Sequence, residues 1–168
     1  MLKTIKIPKT RTRPNVAGFA YKDSWKRYGK PCESCTFGFV NDFIRQQTIV
    51  SSITIKYPEQ YKALVEYGKQ ICDHEFTSIC INHNLKCERH KDGRNVGVST
   101  IVGVGDYVDG GLWVEDELHD IFEKPLCFNG AEKEHATQDF DGDRYTIIFF
   151  DNTSKRNKIN CNHNIKTT

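Results

Sequence analysis

His90-Lys91-Asp92 is the stretch of this chain whose residue types and spacing ask for a chemistry. In an extended segment side chains alternate between faces, so an imidazole and a carboxylate two positions apart point to one side. His135, in the later segment Glu134 to Thr137 that follows Phe128-Asn129-Gly130, can supply a third ligand. Two histidines and one carboxylate on one side of a metal leave the opposite positions open, the donor set that suits a non-haem Fe(II) centre. Nine residues after His135, Arg144-Tyr145-Thr146 opens the apolar run Ile147-Ile148-Phe149-Phe150, which reads as a buried strand. Arg144 and Thr146 share a face there, and a guanidinium offers the two-pronged grip that a carboxylate requires.

The elements that must hold these residues follow from the periodicity. From Phe76 onward the pattern is that of strands: Phe76 to Ile81, leading through Asn82-His83-Asn84 to the metal-binding segment; Val96 to Val104; and Gly111 to Glu115 after the turn at Asp109-Gly110. Pro125 to Phe128, Glu134 to Thr137 and Arg144 to Phe150 complete the set. Short strands closely spaced between turn signals suggest a sandwich or barrel. Upstream, Tyr61, Leu64, Val65, Gly68 and Cys72 fall at helical spacing behind Pro58, which a first turn tolerates. Thr36 begins another segment in which Phe39, Val40, Phe43 and Ile44 recur at helical spacing, and a three-turn helix is expected there. Ser51 to Ile55 reads as a loop or short strand, and Glu115-Asp116-Glu117 as a solvated hairpin tip.

Taken together, His90, Asp92, His135 and Arg144 resemble the Fe(II)/2-oxoglutarate dioxygenases, whose pattern is H-x-D, a distal H, and a basic residue roughly ten positions later, often as R-x-S or R-x-T. The similarity runs from about Phe76 to Phe150, through Asn82-His83-Asn84, Cys87 to Asp92, Asn95-Val96-Gly97, Gly110-Gly111-Leu112, Phe128-Asn129-Gly130, His135 and Gly142-Asp143-Arg144-Tyr145. Within that superfamily the segments look most like the compact branch that contains the TET and JBP nucleobase hydroxylases and their viral and algal relatives.

The resemblance implies a mainly β fold with an α-helical buttress, the double-stranded β-helix or jelly roll, with the metal in its mouth. It implies Fe(II) on His90, Asp92 and His135, 2-oxoglutarate and dioxygen as cosubstrates, and ascorbate as reductant. Arg144, with the hydroxyl of Thr146, would take the far carboxylate of the keto acid. Asn82 and Asn84 would lie near the cosubstrate, where related enzymes place an Asn-x-Tyr pair; here the second residue is Asn84. The substrate implied is the methyl group of thymine or 5-methylcytosine in nucleic acid. A protein or peptide side chain is the alternative, a basic peptide suiting an open acidic mouth, and a non-catalytic metal-binding jelly roll is the third reading.

Composition bounds the rest. At 168 residues, 38% hydrophobic and 27% charged, the chain suits one soluble globular domain, without an apolar run near the roughly 20 residues a membrane helix needs. The amino terminus lacks a secretory pattern, so an intracellular location, cytoplasmic or nuclear, is expected. Residues 1–30 hold nine Lys or Arg against Asp23 alone, and the stretch after Asp151 holds four bases and no acid. Between them lie 11 bases and 21 acids. The expected organisation is a basic arm over 1–30, the dioxygenase domain over 31–151, and a polar basic tail over 152–168. The ends would serve as phosphate-binding arms or as solvated tails, and the aromatics Phe19, Tyr21, Trp25 and Tyr28 would stack on bases or pin the arm to the body.

Seven scattered cysteines point to reduced thiols, although Cys32 and Cys35 have the spacing of half a zinc site, with Cys161 and His163 as an imaginable other half. His74, His83, His119 and His163 read as ordinary surface or turn histidines. Trp113 and Tyr107 are candidate pocket walls. Oligomeric state leaves no mark on the sequence.

Overall fold

The computed structural model of the chain describes residues 5–7, 33–42 and 47–152. Along them run β1 (Glu33–Asp42), β2 (Gln47–Val50), α1 (Ser52–Lys56), α2 (Pro58–Ile71), β3 (Ser78–His83) and β4 (Ser99–Asp109). There follow β5 (Leu112–Val114), β6 (Glu117–His119), β7 (Leu126–Phe128), β8 (His135–Thr137) and β9 (Phe140–Phe150). Six strands form a sheet in the order β2-β1-β3-β9-β4-β7 and three form a second in the order β6-β5-β8, every neighbouring pair antiparallel. Two antiparallel sheets over a shared core, with a helix against the larger, make the expected jelly roll.

Strict alternation along β9 divides the interior in two. Tyr145, Ile147 and Phe149 point to one face, where they join Phe37, Ile79, Ile81 and Val102 and receive Leu64 from α2. The other face carries Arg144, Thr146 and Ile148; Ile148 packs with Ile101 against Leu112 and Val114 of the smaller sheet. One face of the large sheet is therefore committed to packing, which leaves the other for a site.

Helix α2 forms where its periodicity indicates. Pro58 occupies the first turn, Glu59 and Lys69 complement the helix dipole, and Leu64 and Gly68 are buried. Gly68 is needed for close approach: a Cβ there would stand 2.5 Å from Phe76 Cζ and 2.6 Å from Phe149 Cε1.

Three local expectations fail for identifiable reasons. The segment from Thr36 is strand β1, not a helix. Cys35 and Phe37, at 7% and 0% exposure, alternate into the core, and ladder pairing to β3 up to Gly38 and to β2 beyond it outweighs the helical spacing. Gly38 makes the changeover at φ +80, and a side chain there would collide with the carbonyl oxygen of Thr77. Phe43 and Ile44, which carried the helical pattern further, lie outside the described residues. Ser52–Lys56 is the short helix α1 rather than a loop or strand, because Ser51 caps it by accepting the Thr54 N–H at 3.3 Å. The extended strand expected through His90 to Asp92 is absent: His90 meets the sheet in an isolated bridge, and Asp92 opens a turn by accepting the Asn95 N–H at 2.9 Å.

The core also takes in residues from the basic amino-terminal stretch. Ile5 and Ile7 are 5% and 6% exposed within the helix-side cluster, and the Lys6 N–H donates to Tyr57 Oη at 3.3 Å. At the other end Asp151 is buried and accepts from Thr77 Oγ1 at 2.9 Å. The aromatics expected in the arm, Cys32, and the tail beyond Asn152 lie outside the described residues. Among the described residues no helix is long and apolar enough to cross a membrane.

Candidate metal centre

A reciprocal pair of backbone hydrogen bonds sets two histidines side by side. The His90 N–H donates to His135 O at 3.0 Å, and the His135 N–H returns to His90 O at 2.9 Å. Asp92 is held by its own N–H on Gly130 O at 2.7 Å, so the turn at Phe128-Asn129-Gly130 supports the carboxylate while β8 supports both rings.

Each imidazole is also oriented from behind. His90 Nδ1 lies 2.6 Å from Glu88 O, and His135 Nδ1 lies 3.1 Å from Lys133 O. A carbonyl oxygen only accepts, so Nδ1 is the protonated nitrogen and, in the neutral ring, the lone pair sits on Nε2. This backing is how proteins fix the tautomer and heading of a metal-binding histidine. Both Nε2 atoms face Asp92, 3.7 Å from Oδ1 for His90 and 3.6 Å from Oδ2 for His135. All three ligand atoms lie within 4.8 Å of one another. Phe128 closes one side, its ring edge-on to His135 at 5.0 Å.

A cavity of about 760 Å³ opens here between the sheets, lined by these three residues and by Asn82, Arg144 and Thr146. Arg144 is 2% exposed. Its Nε donates to Gly110 O at 3.0 Å, whereas Nη2 is buried and makes no hydrogen bond of ordinary geometry among the described residues. Burial pulls the guanidinium pKa down, and neighbouring Tyr107 and Cys87 oppose that shift. Arginine nonetheless stays charged in proteins, so a buried cation with an unspent donor asks for an anion. Thr146 Oγ1 accepts from Asn82 Nδ2 at 3.3 Å, and Asn82 Oδ1 in turn accepts from Ser34 Oγ at 2.7 Å. Having accepted, the Thr146 hydroxyl keeps its hydrogen to donate.

The structure separates the two asparagines of the expected pair. Asn82 is in the cavity wall, whereas Asn84 is outside it at φ +51, where the left-handed backbone ends the alternation of β3. Asn84 instead braces Arg144 from behind: its Oδ1 accepts the Arg144 N–H at 2.9 Å, and its own N–H donates to Arg144 O at 2.8 Å.

Trp113 and Tyr107, expected as pocket walls, are not in the lining; Trp113 alternates away from Leu112, and Tyr107 packs against Arg144. The acidic tip is a hairpin turn at Glu115 and Asp116 between β5 and β6; it is not in the lining, although Glu115 is hydrogen-bonded to Glu134 beside His135. Among the described lining residues Asp92 is the one carboxylate, and Lys91, Arg94 and Arg144 are cations. The described lining is thus not acidic. Cys35 is a free thiol in the core, pushed up to about 12 chiefly by burial and then by Cys80, which suits packing rather than zinc. His83 lies between Glu33 Oε2 at 3.2 Å and Asp143 Oδ1 at 2.6 Å, and stacks on Tyr145.

Sequence reasoning missed the outer wall of the cavity, where Thr36, Val40, Asn41, Phe150 and Asn152 lie. The signal was present for two of these: Phe150 and Asn152 share the parity of Arg144 and Thr146.

No protein-family profile matches the sequence, and no curated protein does. Solved structures do match. "NgTET1 in complex with 5mC DNA" aligns at TM-score 0.56 and 17% identity, over 87% of this chain and 70% of that one. An oxidoreductase of the 2OG-Fe(II) oxygenase family from Burkholderia pseudomallei aligns at TM-score 0.51 and 10% identity, over 93% of this chain and 79% of that one. With two sheets, a helical buttress and a His-Asp-His group in the mouth, the chain has the jelly-roll fold found in 2-oxoglutarate and Fe(II) oxygenases.

Proposed function

We propose that this chain is an Fe(II)/2-oxoglutarate-dependent dioxygenase that hydroxylates a C–H bond. The observation that carries the reading is a coincidence in one cavity: two histidines presenting Nε2 lone pairs to a carboxylate, and a buried arginine with an unspent N–H. His90, Asp92 and His135 fit Fe(II), because their donors are one-sided and leave the cavity side open. Bound there with 2-oxoglutarate and dioxygen, the metal supplies oxidative decarboxylation to succinate and carbon dioxide, coupled to oxidation of the substrate; ascorbate would keep it ferrous.

The chain's own residues bind, orient and exclude water. Arg144 takes the distal carboxylate of the keto acid by a charge-assisted hydrogen bond, and the Thr146 hydroxyl donates a second, held in direction by Asn82. Ile101, Leu112 and Phe128 give the cavity apolar walls, which strengthens that ion pairing by keeping water out. A non-catalytic metal module would need no such anchor, and the buried unpaired cation speaks against that reading.

For the substrate, the wall charges favour a nucleobase methyl group over a basic peptide side chain. Apart from Asp92, assigned to the metal, the described lining is cationic or neutral, and Lys91 and Arg94 flank the carboxylate on its own loop. One of the similar structures holds 5mC DNA. The deciding experiment supplies Fe(II), ascorbate and 2-oxoglutarate and measures succinate with DNA, RNA, a basic peptide or nothing added. Succinate without substrate, raised by nucleic acid carrying 5-methylcytosine or thymine, is the expected outcome. Stimulation by peptide alone would replace the nucleobase reading, and no succinate under any condition would end the dioxygenase reading.

A further inference from the structure

Two buried side-chain polar atoms among the described residues make no hydrogen bond of ordinary geometry, Arg144 Nη2 and Tyr107 Oη, yet they belong to neighbouring side chains close enough to act on each other electrostatically. The Tyr107 ring centroid lies 5.6 Å from the guanidinium carbon, and Phe140 stands 5.2 Å from it, so two aromatic rings border the cation. Tyr107 is itself fixed in place. Its ring meets Phe122 edge-on at 5.2 Å, and its hydroxyl occupies the space where Gly103 has no side chain; a Cβ at Gly103 would collide with it. Gly110 clears the other flank, since a Cβ there would stand 2.8 Å from Arg144 Nε.

A buried hydroxyl without a well-formed hydrogen bond is costly, and phenylalanine would keep every ring contact without that cost. The hydroxyl therefore calls for a use that packing does not supply. Burial raises the phenol's pKa, so it is un-ionised at neutral pH and can accept a hydrogen bond without neutralising the arginine. Hydrogen bonds of a site held loosely without ligand tighten when the ligand binds.

We propose that Tyr107 is the positioning residue of the carboxylate anchor: its ring and Phe140 confine the Arg144 guanidinium, and its hydroxyl accepts from one N–H of Nη2, leaving the second N–H of Nη2 turned toward the cavity for the anion. Nothing in the spacing of H-x-D, distal H and R-x-T points to position 107, which lies on β4 rather than on a strand that carries the motif. The inference rests on the dioxygenase reading for the identity of the anion, and its test is a binding measurement that does not need turnover.

The Mn(II)-loaded full chain is titrated with 2-oxoglutarate and with 2-oxobutanoate, which has the same keto acid end and no distal carboxylate. Tyr107→Phe is expected to weaken 2-oxoglutarate about tenfold, near the low end for losing a hydrogen bond to a charged group, and to leave 2-oxobutanoate unchanged. In an Arg144→Lys background, which has no Nη2, the same substitution is expected to add no further weakening. Unchanged 2-oxoglutarate binding in Tyr107→Phe would overturn the proposal. Equal weakening of both keto acids, or a full tenfold further weakening in the Arg144→Lys background, would reduce Tyr107 to packing and overturn it as well. Failure of the unaltered chain to bind any 2-oxo acid would instead overturn the dioxygenase reading.

Discussion

At the scale of single residues, the two histidines of the candidate centre are oriented by the carbonyls behind them. Glu88 O and Lys133 O hold the Nδ1 protons, so His90 and His135 need no tautomer change to accept a metal. His90→Ala and His135→Ala are therefore expected to abolish stoichiometric Fe(II) binding while circular dichroism shows an unchanged fold; a variant that kept full iron binding would exclude its residue as a ligand. Arg144→Lys keeps the charge and loses the fork, and is expected to cost about 1–3 kcal/mol in 2-oxoglutarate affinity with iron binding spared. Equal weakening of both would mean a damaged interior. That these residues meet in one cavity was legible in the sequence, because H-x-D, a later histidine and R-x-T are few in kind and ask for one common site. Asn84 was not, because a single left-handed residue turned it from the cavity to the backbone of Arg144, and no pattern in the sequence marks that turn. Tyr107 was visible as an aromatic on a strand, but its approach to a cation 37 positions later depends on the β4 and β9 register.

Among the elements, strands with a clean period of two and the helix behind Pro58 could be read directly, whereas β1 could not. The apolar residues at 39 and 40, with 43 and 44 further along the sequence, have helical spacing, and the two ladders on either side of Gly38 make Glu33–Asp42 a strand. Gly38→Ala should consequently destabilise by more than about 1 kcal/mol, since the backbone is left-handed there and the carbonyl of Thr77 fills the space; a chemical denaturation midpoint unchanged from the parent would contradict this. The buttress and the site occupy opposite faces of one sheet. Leu64→Ala, at a fully buried position of α2, is expected to cost about 2–5 kcal/mol in global stability. The affinity for Fe(II) of the folded fraction should not change, and a large fall in it would show that the two faces are coupled. Cys35, on the packing face, is expected to resist iodoacetamide at pH 8 until the protein unfolds, because so little of it is thiolate. Between pH 9 and about 12 the unfolded thiol ionises and the buried one does not, so stability should decline through that window.

For the molecule as a whole, charge and packing overlap in a way the sequence did not disclose. The amino-terminal basic stretch contributes Ile5 and Ile7 to the core, so trimming it would remove apolar burial along with charge. Nucleic-acid binding by the arm is better tested by changing Lys3, Lys9, Arg11 and Arg13 to glutamine. If these neutralise phosphates, the dependence of log affinity for duplex DNA on log salt should flatten by about 0.9 for each phosphate no longer neutralised; an unchanged slope would mean that these four charges are merely solvated. A different global property follows from the bridge between His90 and His135. That reciprocal pair of backbone hydrogen bonds fastens His90 to His135 of β8, 45 positions downstream, and an ion held by the two side chains would have to leave before the pair could part. Backbone opening there should therefore be linked to metal occupancy, as any ligand is linked to the unfolding it opposes. In deuterium exchange the amides of His90 and His135 would slow with added Mn(II) while those of α2 kept their rate, so the backbone itself would record whether the centre is filled.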